Sequence, residues 1–508
     1  MKILSQRGVA HIFLLLAVLG LLLFLLISNT FSFRDRLFSN LFPKPPSQAA
    51  APSDWPQLQY NSLRSGFTNT SVTTPYTIKW RWHPISKFVS ISGKVQPVIA
   101  NGVMCLGFYD GKMYCLDENT GIPRWEFQTG GPILHTAAID GANIYFGSQD
   151  GNLYAVQTSN GQLAWKYKTG KGIQNAPCIV SNTVYIGSSD GYMYAFDAVS
   201  GSLKWRYDSG YPILTSAACG NNTIYFGNEG IYAHALQDNG ASASLKWKKR
   251  LAGQSMSAYW PVLSQSQNIV FFRTQPYGVL QTLLDDGDNI LAQGPAIKNA
   301  TNIAAEQQRI ITHLNGGGAI WKTFWALDAN TGNERYTAPI LYTAGEGSTP
   351  VPLVIDDAGS KAWVVWKTRY KTFGCPNCTR PWVDLGKMDL ATGTISHFAG
   401  PESAYVHLIG DETTILTANS NGLLASGRGT LSGIDLTSET SFSIVNSLRS
   451  AEDDYSNGDV GPFAYDNGWV KGDVLGGGGQ GGPVAAGATV ANGKMFWVAR
   501  YGLIIAIE

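Results

Sequence analysis

The sequence predicts an all-β fold: a single closed propeller of four-stranded antiparallel blades. Three observations predict it. First, near-copies of one unit recur at Leu106–Trp125, Phe146–Trp165 and Ile186–Trp205, with a degraded fourth at Phe226–Trp247. The step from Trp125 to Trp165 to Trp205 is 40 residues each time. Self-similarity at that period marks stacked supersecondary units, and four short strands per unit mark propeller blades. Second, Asp110-Gly111, Asp150-Gly151 and Asp190-Gly191 keep the same step between alternating apolar residues. Asp-Gly in that setting is a hairpin signal, because glycine accepts the positive φ of the turn. Third, each unit ends on a strand of period two. Leu203, Trp205 and Tyr207 share one face and Lys204, Arg206 and Asp208 the other, which predicts an outer strand with one buried and one wet side.

Within the third copy, Ala176–Val180, Thr183–Gly187, Tyr192–Asp197 and Ser202–Asp208 read as the four strands. Later units drift. One spans roughly Ala258–Gly294 with a strand at Asn268–Arg273, and another roughly Asn302–Tyr336 with Tyr336 in the tryptophan slot. A third, Pro350–Phe398, carries an insert around Cys375–Trp382, and a fourth covers Ala404–Val445. Asn446–Gly482 is rich in Gly and Asp and reads as a long loop. Pro483–Glu508 supplies three strands and then ends. Thr77–Trp82 is the expected fourth, borrowed from the other end of the body so that the ring closes without an open edge. The units add to nine with this composite blade, while eight is the commoner ring; eight is the expectation, with one unit miscounted.

Composition agrees with a rigid, turn-rich β protein. The chain has 508 residues, 57 of them Gly, with 15 Trp, 23 Tyr and 21 Phe and only 14% charged residues. Net charge is +1, and the single basic run, Lys246–Arg250 (KWKKR), falls on an expected outer strand as a solvated face. A nucleic-acid partner is therefore not expected.

The N-terminus is a different material. Residues 1–9 form a short tail, and Ala10–Ser28 is an apolar stretch of 19 residues without a formal charge, long enough to span a bilayer as a helix. No small-x-small site follows closely, so an uncleaved single-pass anchor is favoured over a signal peptide. Residues 29–54, including the Pro-, Ser- and Ala-rich Ser39–Ser53, read as a linker to a body spanning 55–508.

The sequences Leu116–Trp125 (LDENTGIPRW), Phe196–Trp205 (FDAVSGSLKW) and Leu327–Tyr336 (LDANTGNERY) resemble the Ala-x-Asp-x-x-x-Gly-x-x-x-Trp motif of quinoprotein-like, or PQQ-like repeat, propellers. The opening Trp55–Phe67 (WPQLQYNSLRSGF) is similar to the Trp-Pro…Arg-x-Gly start of soluble members. The resemblance implies that Trp125, Trp165, Trp205 and Trp247 dock blades together through glycine turns at Gly121, Gly161 and Gly201. It implies two functional classes: dehydrogenases holding pyrroloquinoline quinone (PQQ) and Ca²⁺ in the axial funnel, and non-enzymatic propellers similar to BamB that contact partner proteins. No adjacent cysteines and no c-type haem motif are found, and Asn175, Glu229 and Glu306 are the only loose candidates for a hard-oxygen Ca²⁺ trio. The expected function is thus a membrane-anchored, extracytoplasmic scaffold with a protein or cell-envelope partner and no cofactor. A PQQ- and Ca²⁺-dependent dehydrogenase is the first alternative. A carbohydrate- or cell-wall-binding propeller using Trp260, Trp363, Trp366 and Trp382 as platforms is the second.

Other chemistry-bearing residues have plainer readings. Cys375 and Cys378 form a lone CxxC with no second ligand pair nearby, which favours a loop-pinning disulfide over zinc. Cys105 and Cys115 occupy slots held by Tyr145/Ala155 and Tyr185/Ala195 in the next copies, so they read as neighbours on adjacent strands, and both a cross-strand disulfide and two small buried thiols are open. Asp285–Asp288 and Asp453–Asp459 lack the Ca²⁺-loop spacing and read as turns. Gly476–Gly482 lacks the Lys and helix of a phosphate loop. His135 and His234 fall on repeat positions and read as satisfied blade-edge residues; His397 and His407 are isolated.

Overall fold

The computed structural model describes residues 54–508 apart from 276–302, 341–352, 370–381, 398–414, 444–487 and several shorter segments. The described strands assemble into eight four-stranded antiparallel sheets, each a blade. Blade 1 comprises Val98–Ala100, Val103–Gly107, Lys112–Asp117 and Pro123–Gln128, in that order from the innermost strand outwards. Blades 2, 3 and 4 begin at Ala138–Asp140, Cys178–Val180 and Ala218–Gly220 and repeat the pattern. Blades 5, 6 and 7 begin at Val262–Ser264, Val354–Asp356 and Ile415–Ala418.

The eighth blade is composite. Ile78–Trp82 pairs with Ile504–Ile507, which pairs with Lys494–Val498 and then Thr489–Ala491. It is tied to blade 1 where the Thr489 hydroxyl donates to the Pro97 carbonyl at 3.0 Å. The two ends of the body thus share one sheet, so neither leaves an unpaired edge.

Two of the units read from sequence are one blade. Ile269–Arg273 pairs directly with Phe324–Asp328 in blade 5, so the chain between them is an insertion and the units counted as 258–294 and 302–336 merge. Within it lies the helix Ile303–Asn315, where strands were expected. Ile310 and Leu314 share a face with the buried Gln307 and pack into the core of blades 5 and 6. Gln307 accepts from the Ile395 N–H at 3.0 Å and donates to the same residue's carbonyl, so the helix satisfies the edge of an outer strand.

The outer strands of blades 1 to 4 each carry a bulge beside their tryptophan. Trp205 opposes Ala195, but Leu203 rather than Lys204 opposes Phe196. The alternation expected for Leu203, Trp205 and Tyr207 therefore stops there. Trp205 is buried and Leu203 is exposed. On the last strand of blade 4, Trp247 is buried between the exposed Lys246 and Lys248, the solvated face read from KWKKR.

Among the described residues no helix is long and apolar enough to cross a membrane. The Ala10–Ser28 stretch and most of the linker lie outside them, as do Cys375, Cys378, the Asp285–Asp288 and Asp453–Asp459 clusters, Gly476–Gly482 and His407.

Candidate functional site

The innermost strand of each blade has one edge with no sheet partner, and its buried N–H groups need acceptors. The segment Trp55–Phe67 supplies them by running past the inner strands in turn. Trp55 exchanges two 2.8 Å backbone hydrogen bonds with Ile99 of blade 1, and the Ile139 N–H of blade 2 donates to Pro56. The Gln57 side chain takes both backbone groups of Ile179 in blade 3, at 3.0 and 3.1 Å. Cys219 of blade 4, Leu263 of blade 5 and Ile355 of blade 6 donate to the carbonyls of Ser62, Leu63 and Ser65. One strap thus engages six blades from the axis.

Arg64 is the centre of this strap and is fully buried. Its Nε donates to Ala217 at 2.8 Å, and its terminal nitrogens donate to Leu58 at 3.0 Å and Pro177 at 2.8 Å. A buried guanidinium is tolerated because its planar fork reaches several acceptors at once.

Beyond the strap the axis is crossed by side chains from blades that are not neighbours. Lys94, ahead of blade 1, donates through Nζ to the Ser257 carbonyl ahead of blade 5, at 2.8 Å. His135 of the blade 2 entry packs edge-on against Trp260 of the blade 5 entry, with centroids 6.2 Å apart. Its Nδ1 accepts from the Thr136 N–H at 2.9 Å, so Nε2 carries the proton and donates to Ser216 Oγ of the blade 4 entry at 3.2 Å. Burial, followed by the charges of Lys94 and Arg64, holds His135 well below the usual imidazole range, so it is neutral. Burial lowers Lys94 as well, opposed by Glu229.

These contacts decide what the candidate ligands can do. Asn175 donates its amide to the carbonyls of Gly187 and Ile213, at 3.1 and 3.0 Å. Glu229 accepts from the Ser255 hydroxyl at 2.8 Å and the Met256 N–H at 3.3 Å. Glu306 lies on the helix Ile303–Asn315 and not at a strand edge. Among the described residues no three His, Cys, Asp or Glu side chains are grouped to hold a metal ion. Glu229 is thus engaged at the junction of blades 4 and 5, the Asn175 Oδ1 is buried without a hydrogen-bond partner, and the Glu306 side chain lies outside the described residues.

His234 is fully buried and stacked on Phe226 with centroids 4.8 Å apart, and neither ring nitrogen has a hydrogen-bond partner. Burial lowers its pKa to about 3. It stands where Tyr114, Tyr154 and Tyr194 donate to Asp110, Asp150 and Asp190. In blade 4 the aspartate slot is Gly230. Of the four tryptophans read as saccharide platforms, Trp260 and Trp363 are buried in the core, which removes them from that role. The side chains of Trp366 and Trp382 lie outside the described residues.

Among the described residues, six seams can be compared, and five follow one rule. Trp125 donates through Nε1 to the Thr158 carbonyl at 2.7 Å, and its ring presses on Gly161, where a Cβ would sit 2.8 Å from Cδ2. Gly161 has φ of +71°, so both space and backbone demand glycine. Trp165 over Gly201 and Trp247 over Gly332 repeat this, and Tyr336 over Gly393 is a tyrosine version. Gly121 is covered by Trp80 of the composite blade, a partner sequence reasoning missed. Its signal was the echo of Leu203–Tyr207 (LKWRY) in Ile78–Trp82 (IKWRW).

Trp205 breaks the rule. Its Nε1 donates to the Asp238 carboxylate at 2.9 Å instead of a backbone carbonyl, and the Tyr185 hydroxyl donates to the other oxygen at 2.5 Å. The turn that should cover Trp205 carries Gly240, where an added Cβ would meet nothing within 4 Å. At this seam, between blades 3 and 4, a pocket of about 320 Å³ opens, lined by Tyr185, Lys204, Cys219, Thr223 and Asp238 among others.

Cys105 and Cys115 are register partners with Cα atoms 4.2 Å apart, joined by a disulfide within blade 1. The large–small pairs Tyr145/Ala155 and Tyr185/Ala195 hold the same register in the next blades.

A protein-family profile described as outer membrane protein assembly factor BamB matches residues 109–338. Among solved structures, BamB from Moraxella catarrhalis is similar with a TM-score of 0.50 at 11% identity, over 85% of this chain and 99% of that one. Quinohemoprotein alcohol dehydrogenase from Comamonas testosteroni aligns at 0.54 and 11% identity, over 90% and 81%. A europium-containing methanol dehydrogenase aligns at 0.53 and 11%, over 77% and 85%. At such identity these likenesses concern the fold. No curated protein sequence matches.

Proposed function

From a chain that belongs to the PQQ-like repeat β-propeller superfamily, we propose a scaffold that binds a protein partner of the cell envelope and carries no cofactor. In this reading 1–9 is a tail, 10–28 a single-pass anchor and 29–54 a linker, with the propeller 55–508 on the extracytoplasmic side. The family profile, named for an assembly factor, supports a protein as the partner.

One observation carries the reading. The region of the axis, where the resemblance to quinone-dependent propellers would put their cofactor, is crossed by contacts of the chain's own Arg64, Lys94, His135 and Trp260. These residues hold non-neighbouring blades together, and that favours rigidity over turnover. Exposed apolar side chains on the turns and loops, including Ile122, Val199 and Tyr211, are then the points of engagement.

The test has two arms. Full-length protein in detergent is given PQQ and Ca²⁺ and assayed with alcohols, sugars and an artificial electron acceptor; no dye reduction is expected. In membranes, photo-crosslinkers at Ile122, Val199 and Tyr211 are expected to capture one identifiable envelope protein. That protein should then bind the purified chain directly, and less tightly after Val199→Asp. Stoichiometric quinone binding with substrate-dependent dye reduction would overturn the proposal.

A further inference from the structure

The seam that lacks a glycine over its tryptophan is also the one where two cysteines meet. The first residue of each inner strand faces the next blade and the second faces the previous one, as strand alternation requires. At neighbouring seams this places Val98 with Ile139, Ala138 with Ile179 and Ala218 with Leu263, each pair within one buried cluster. Between blades 3 and 4 the same two places hold Cys178 and Cys219, both in a single cluster with Trp205 and Tyr185.

The two cysteines share one acceptor on the strap. The Cys178 thiol donates to the Ser62 carbonyl at 3.6 Å, and the Cys219 N–H donates to that carbonyl at 2.8 Å. Both are free thiols in the structure, and both are buried. The pocket of about 320 Å³ opens on this seam with Cys219 in its lining, whereas Cys178 lies fully buried behind it.

We propose that Cys178 and Cys219 form an inter-blade disulfide by exchange with a low-molecular-weight disulfide, and that this bond replaces the tryptophan–glycine contact missing from the seam. The sulfur of Cys219, a buried residue in the pocket lining, attacks the small disulfide RSSR, giving a Cys219–SR mixed disulfide and one thiol. The Cys178 sulfur then attacks Cys219, closing the protein disulfide and expelling the second thiol. Two protein thiols and one RSSR become one protein disulfide and two RSH, and the two thiol protons leave on the RSH products. The surroundings favour the resolving step over the first one: burial pushes the Cys219 thiol well above its usual value, so the initial attack is the slow step. Burial opposes ionisation of Cys178, but the Cys219 thiol and the Arg64 guanidinium outweigh it and hold the Cys178 thiol below its usual value.

The experiment uses the full-length protein and hydroxyethyl disulfide as the probe. After exposure, the chain is denatured, alkylated with iodoacetamide and mapped by mass spectrometry. A peptide pair linked through Cys178 and Cys219 is expected, either as purified or after exposure, with neither residue alkylated. Melting of the linked protein should lie a few degrees above that of the dithiothreitol-treated protein, a difference of about the size other long-loop disulfides produce. The variant Cys178→Ala/Cys219→Ile installs the pair found between blades 2 and 3 and should lose that linked peptide. Full alkylation of both residues after exposure would overturn the proposal. So would a mixed disulfide that stays at Cys219 without resolving.

Discussion

Arg64→Leu is the sharpest test of the axial architecture. The substitution keeps much of the buried volume but removes all three charge-assisted hydrogen bonds, to Leu58, Pro177 and Ala217. Hydrogen bonds from a charged group contribute roughly 1.5–3 kcal/mol each, and every buried carbonyl left without a donor costs about 1–3 kcal/mol. Part of this is offset, because the guanidinium no longer has to be desolvated; removing one side of a buried charged network still costs about 3–5 kcal/mol net. Arg64→Leu should therefore destabilise the body by that amount. Arg64→Lys keeps the charge but presents one point donor in place of a fork, so roughly half the loss is expected. Urea unfolding of the full-length protein, followed by tryptophan fluorescence, reads the effect, since Trp55 at the start of the strap is fully buried. If both variants unfold within about 0.5 kcal/mol of the parent, Arg64 does not hold the strap to blades 3 and 4, and the account of the axis is wrong.

Other expectations follow from the seams and the core. Gly161→Ala forces a Cβ into the Trp125 ring at positive φ, whereas Gly240→Ala meets only the backbone strain, so the first should cost at least about 2 kcal/mol more by thermal or urea unfolding. His234 is neutral when folded and protonates only near pH 3, while the unfolded chain takes up a proton below its usual value of 6.5. Its contribution is therefore present above pH 6.5 and is lost towards pH 3, by about 1.4 kcal/mol per pH unit. His234→Phe should be more stable by about 1 kcal/mol at neutral pH, since two unpartnered nitrogens are removed, and should show a shallower acid loss in melts between pH 6 and 4. Truncation after Ala491 removes two strands of the composite sheet and leaves Ile78–Trp82 unpaired; cooperative melting should disappear, and an unchanged transition would refute the role given to that sheet.

What the sequence determined by itself is everything set by neighbours a few tens of residues apart. Strand alternation, Asp-Gly hairpins and the 40-residue step of Trp125, Trp165 and Trp205 are local, so the blade and its repetition were legible. The composite blade was legible too, because three C-terminal strands lacked a fourth and Thr77–Trp82 carried the outer-strand pattern. The register of Cys105 with Cys115 could be read because the neighbouring copies showed a large–small pair in the same slots. What only the tertiary structure decided concerns groups brought together at the axis and across seams. Repeat counting split blade 5 in two, because it takes no account of an insertion, and the helical face of Gln307, Ile310 and Leu314 inside it was read past. The motif containing Arg64 was visible, yet nothing in its spacing shows that its acceptors lie at Pro177 and Ala217; they converge on it because inner strands of a ring all approach one line. Trp205 obeys the repeat in sequence and departs from it in space, because its partner, Asp238, ends a third strand of 7 residues where the corresponding strand of blade 3 has 6. For the same reason Cys178 and Cys219, each unremarked in its own strand, become a pair only once blades 3 and 4 are laid side by side.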